Sequence, residues 1–153
     1  MTKITLTVPP RIDREFKLAA KKAWPNEMFS YLLGTVAGDH VYVDSLYLPE
    51  NVAENCTHSR TNIQPEWMLD AQEAANEDGL VICGDIHSHP YHYRETRGVI
   101  QDRVQSEGDL DCPHKWLVAA VCVVQEMANK HLRASLRFWG PSIPVELKKR
   151  KGA

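Results

Sequence analysis

The stretch Leu80–Pro90, "LVICGDIHSHP", decides how this chain folds. It begins as an apolar run of strand length behind Gly79 and ends in a polar segment with two histidines. If the strand continues to His89, residues i and i+2 share a face, so His87 and His89 converge while Ile86 and Ser88 point the other way. Zinc accepts imidazole nitrogen at about 2.0–2.1 Å, and two neighbours on one strand face can reach a common ion. The end of this stretch, "GDIHSHP" (Gly84–Pro90), also reads as a histidine-rich polar loop, and nothing within it separates the two.

Working backward from the strand, "PEWMLDAQEAANEDG" predicts a helix, with Pro65 in its first turn and Gly79 closing it. Met68, Ala71 and Ala75 form its expected inner stripe. Residues 50–64 are polar and loop-like, with a short strand expected near Ile63. "MFSYLLGTVAG" and "HVYVDSLYLP" read as two strands turned at Gly38-Asp39. "KITLTV" alternates as a strand does, and Pro9-Pro10 then opens a helix. Ile12, Phe16, Ala19, Ala20 and Ala23 recur along it at helical spacing, and Pro25 ends it.

Working forward, "PYHYRETRGVIQDRVQ" (90–105) is polar, without a clear period, and reads as a long insertion loop. A loop of that length in a compact domain is usually functional or disordered. "WLVAAVCVVQE" and "HLRASLRFWG" read as two further strands. Strands and helices are mixed rather than strictly alternating, which predicts an α+β fold with a central mixed sheet flanked by helices. One domain is expected over 1–142, followed by a basic, solvated tail over 143–153 that contains "LKKRKGA".

Composition narrows the function classes. The chain has 153 residues, of which 43% are hydrophobic, enough for one domain with a real core. A net charge of -2 provides no field to recruit nucleic acid or acidic lipid. The N-terminus lacks the basic-then-apolar pattern of a signal peptide, and the apolar run "WLVAAVCVV" is too short to span a membrane. None of the four cysteines forms a CxxC pair, and Cys83 and Cys122 lie in apolar runs. That usage points to buried thiols in a reducing, cytoplasmic setting. There is no phosphate-binding glycine loop and no GxSxG.

Two further segments carry possible chemistry. In "SEGDL", Ser106 and Asp109 read as a helix start, a variant of the capping box. That role does not exclude another: a carboxylate at a helix start can ligate an ion while the Ser106 hydroxyl points at the same site. Glu27, in "WPNEMFSYLLG", stands between a helix-ending proline and an apolar strand. Taken alone it reads as a solvated junction residue.

Taken in order, Glu27, "HSHP" and "SEGDL" resemble the JAMM motif of the JAB/MPN/Mov34 metallopeptidases. The resemblance covers roughly residues 5–126 and includes the opening helix, the Pro-x-Glu segment, and the second helix with its histidine-bearing strand. It implies an MPN/JAB, cytidine-deaminase-like domain. It further implies Zn²⁺ bound by His87, His89 and Asp109, with Glu27 as general base and Ser106 as donor to the oxyanion. The implied reaction is zinc-dependent amide or isopeptide hydrolysis without a covalent intermediate. The sequence departs from the family in the spacing between Pro90 and Ser106, where an insertion separates the HxHP from the Ser-x-x-Asp. Asp102, His92 and Glu95 are therefore rivals to Asp109 as third ligand.

The resemblance is to stand-alone prokaryotic members, some encoded beside E1-like and E2-like enzymes in antiphage operons. It implies a ubiquitin-like protein or its conjugate as substrate. The tail of that protein is expected to add a strand beside the metal. Tyr91, Tyr93, Arg94 and Arg97 of the insertion are candidate substrate contacts. The alternatives are a JAMM peptidase acting on another peptide and a non-catalytic MPN scaffold.

Overall fold

The computed structural model describes residues 4–101, 117–139 and 145–149. Its elements are β1 (Ile4–Val8), α1 (Pro10–Ala23), β2 (Phe29–Ala37), β3 (His40–Tyr47), α2 (Pro65–Glu77), β4 (Val81–Tyr91), α3 (Tyr93–Thr96), β5 (Val118–Glu126), β6 (Leu132–Trp139) and β7 (Val145–Lys149). The strands form one sheet in the order β6-β5-β4-β2-β3-β1-β7. β1 runs parallel to β3 and β7, and β4 parallel to β5. The remaining pairs are antiparallel. This is the mixed, helix-flanked α+β sheet that the sequence implies.

α1 begins on Pro10, at a position whose N–H has no helical partner anyway. It buries Ile12, Phe16 and Ala20 against β3, β5 and β6, with Ala19 and Ala23 at the margin. α2 buries Trp67, Ala71 and Ala75, so the stripe runs through Trp67 and leaves Met68 only half-buried. The indole of Trp67 stacks on Phe29 at 5.7 Å, which seats α2 against β2 and β4. Such an aromatic pair adds about 0.5–1.5 kcal/mol beyond the area it buries.

Gly84 opens the register that carries the histidines. A side chain there would place its Cβ 2.3 Å from the carbonyl oxygen of Val118, so only glycine lets β5 close on β4. The pairing then runs unbroken from Gly84↔Val118 to Tyr91↔Gln125.

Three expectations are corrected. No strand forms at Ile63, which is exposed; Cys56 and Thr61 instead pair in one isolated bridge. Within the described residues after Pro90, which run to Gln101, the expected loop gives way to regular structure: β4 continues to Tyr91 and α3 follows. Its anchors come from β5. The fully buried Gln125 donates through Nε2 to Thr96 Oγ1 at 3.1 Å and to the Val99 carbonyl at 2.6 Å, and its Oε1 accepts the Gln101 N–H at 3.3 Å. Glu126 accepts the Tyr93 N–H at 2.8 Å. Finally, the stretch expected as a solvated basic tail contributes β7, which pairs with β1 from Ile4↔Val145 to Val8↔Lys149.

Candidate functional site

β4 stays extended through the whole histidine segment, which meets the condition for the two rings to share a face. Ile86, Ser88 and Pro90 are buried, while His87, His89 and Tyr91 are half-buried. The Nε2 atoms of His87 and His89 lie 3.0 Å apart, with ring centroids 4.8 Å apart. Two imidazole nitrogens this close are joined either by a shared proton or by an ion that takes both lone pairs. This donor set therefore fits a divalent cation that favours nitrogen ligands, with zinc the first choice. In register beside the pair stand Val121 and Val123 of β5, against which Tyr91 packs.

Ser88 is part of the site's framework. Its hydroxyl oxygen accepts the Met28 N–H at 2.8 Å, and its own N–H donates to the Met28 carbonyl at 2.9 Å. The residue between the histidines is thus bound to the residue after Glu27. Glu27 is buried, at 9% exposure. Its N–H donates to the Thr57 carbonyl at 2.8 Å, and Thr61 Oγ1 donates to its Oε1 at 2.8 Å. Thr61 thereby fixes one oxygen of the carboxylate in place. The expectation of a solvated junction residue therefore gives way to a buried, held carboxylate.

Ser106, Asp109 and Asp102 lie outside the described residues. His92 and Glu95, the other rivals for third ligand, gather with His58 instead. Among the described residues that trio is the one cluster of three metal-ligating side chains whose ligand atoms all lie within 4.8 Å of one another. Arg94 and Arg97 are exposed, and Tyr93 is half-buried. Burial pushes the Cys83 and Cys122 thiols up to about 12 and raises that of Cys56, so none of the three is poised as a thiolate nucleophile. Sequence reasoning missed Thr57, Thr61 and the role of Ser88. The two threonines sit in a polar stretch with no periodicity to mark them, and their tie to Glu27 exists only in the folded chain.

A mixed α+β sheet whose inner strand presents His-x-His beside a buried glutamate defines a JAB/MPN-type domain. The chain belongs to the prokaryotic homologs of the JAB domain, the family that matches residues 9–96. Similar solved structures agree on the fold. The solution structure of a Desulfitobacterium hafniense protein has a TM-score of 0.61 at 19% identity, covering 95% of this chain and 94% of that one. A JAB1/MPN domain protein from Archaeoglobus fulgidus gives 0.54 at 16% identity, covering 94% and 97%. A Salinibacter ruber protein gives 0.59 at 22%, covering 95% and 92%. No curated protein matches the sequence. Among the described residues no helix is long and apolar enough to cross a membrane.

Proposed function

We propose that this chain is a JAMM-type zinc peptidase that hydrolyses the amide bond after the C-terminal tail of a ubiquitin-like protein, releasing it from a conjugate or a precursor. One observation carries the reading. The converging His87 and His89 rings and the buried Glu27 carboxylate are tied together through the two hydrogen bonds between Met28 and Ser88, one of them to the Ser88 hydroxyl. Zinc held by the two histidines, with Asp109 as third ligand by family resemblance, would supply Lewis-acid polarisation of the amide carbonyl and of the attacking water.

The chain's own residues do the rest. Glu27 takes a proton from the attacking water and delivers it to the leaving amine. Thr57 and Thr61 hold its backbone and one carboxylate oxygen, so it needs no reorganisation between the two transfers. Ser106 donates to the oxyanion, a contribution typically worth about 10²–10³ in rate. β4 is paired with β5 as far as Tyr91 and with β2 as far as His87. The substrate tail therefore approaches over the face that carries the histidines rather than adding to β4 itself. Tyr91 already packs on Val121 and Val123, which leaves Tyr93 and Arg94 as the proposed tail contacts. E1-like and E2-like enzymes that build the conjugate are the proposed partners.

The test is incubation with a ubiquitin-like protein extended through its C-terminus by a reporter, with and without chelator. Cleavage after the tail is expected, lost on chelation, restored by zinc, and about 10²–10⁴-fold slower in Glu27→Gln. Full activity in Glu27→Gln overturns the base assignment. Zinc binding with no cleavage of any such fusion moves the substrate to another peptide or the chain to a scaffold role.

A further inference from the structure

A second set of ligating side chains stands apart from the His87–His89 pair, and it is built from two segments, the turn at His58 and the first turn of α3 with its N-cap. His58 comes from the turn that holds Glu27, His92 from the residue between β4 and α3, and Glu95 from α3. His58 Nε2 lies 3.1 Å from Glu95 Oε1, and the His58 and His92 ring centroids are 5.0 Å apart. Trp24 braces the His92 ring edge-on at 4.9 Å.

The protonation logic of His58 singles this cluster out. Its Nδ1 lies 2.8 Å from the carbonyl oxygen of Pro25. A carbonyl only accepts, so Nδ1 carries the proton. In the neutral ring, Nε2 then presents a bare lone pair to a carboxylate oxygen, two acceptors facing each other. Some cation must lie between them, either a second proton on the ring or a metal ion. A ring nitrogen that donates to a backbone carbonyl while its partner nitrogen faces ligands is the usual arrangement around a metal-bound histidine. Ligand atoms around a tetrahedral zinc stand about 3.3 Å apart; the His58–Glu95 pair is 3.1 Å apart and all three ligand atoms lie within 4.8 Å of one another, the His92 ring being held meanwhile by the Glu95 N–H. The Glu95 carboxylate is fixed as well, because Oε1 accepts the His92 N–H at 2.8 Å. Two histidines and a glutamate form a known zinc donor set.

We propose that His58, His92 and Glu95 form a second zinc site, distinct from the His87–His89 centre. Its position gives it a structural role. Thr57 and Thr61, which flank His58, hold Glu27, and Pro25 precedes Glu27 by two residues. A metal at this site clamps the glutamate's supporting turn to the segment that follows β4.

The test counts zinc bound to purified full-length protein after equilibration with zinc alone. In the His87→Ala/His89→Ala background about one zinc per chain is expected to remain. Adding His58→Ala or the conservative Glu95→Gln should remove it, with circular dichroism and thermal unfolding confirming that each variant is folded. No zinc in the double variant reduces the cluster to an imidazolium–carboxylate pair and overturns the proposal. So does zinc retained after both His58→Ala and Glu95→Gln. Because the count is made without the first pair of histidines and without substrate, it stands or falls separately from the peptidase reading.

Discussion

Ser88 shows how much a single residue contributes that its sequence neighbourhood conceals. It looks like a spacer between two histidines, yet its buried hydroxyl is the acceptor for the Met28 N–H. Ser88→Ala leaves that amide without its partner in a buried setting, at a cost of about 1–3 kcal/mol. For a chain of this size that lowers the melting temperature by roughly 2–12 °C. An unchanged melting curve would mean that the amide finds another acceptor and that Ser88 does not set the Glu27–His89 spacing. The histidines themselves were legible, because strand alternation predicts their convergence from two residues of spacing. Glu27 was legible only through its order relative to the HSHP, and Thr61 not at all, since its hydroxyl meets Glu27 only once the chain has folded.

At the scale of elements, the segment after the histidines shows where periodicity stops informing. Residues 90–101 have no helical or strand pattern long enough to detect, and α3 has only four residues. Order comes instead from the amide of Gln125, contributed by β5 and saturated by Thr96, Val99 and Gln101. An amide inside an apolar strand reads from sequence as an anomaly, and its reason lies on another segment. Gln125→Leu keeps the side chain's bulk but removes three hydrogen bonds. Hydrogen exchange should then show protection lost across Tyr93–Gln101 while β1, β2 and β3 stay protected. Uniform loss across the sheet would show that Gln125 supports the core rather than this segment. By contrast, α1, β2 and β3 were readable because their apolar spacing and the Gly38 turn are local signals.

At the scale of the molecule, strand order is what assembles the site, and strand order was the least legible feature. Nothing local tells β1 to lie between β3 and β7, whose partners span nearly the whole chain, from Ile4 to Val145. β4 carries His87 and His89, Met28 immediately precedes β2, and the turn around His58 closes over Glu27, so neither ligand cluster exists until the sheet is complete. An ion that binds only the folded state stabilises it by mass action, about 2.7 kcal/mol at a hundredfold excess over its dissociation constant. For a chain of this length that corresponds to roughly 5–11 °C in melting temperature. Titrating zinc should therefore raise the melting temperature of the native sequence progressively, and chelator should reverse the rise. The variant carrying His87→Ala, His89→Ala and His58→Ala lacks ligands at both clusters, and its melting temperature should stay flat across the same titration. A zinc-dependent rise in that variant would show that the stabilising ion binds elsewhere, and the link between completing this sheet and holding metal would fail with it.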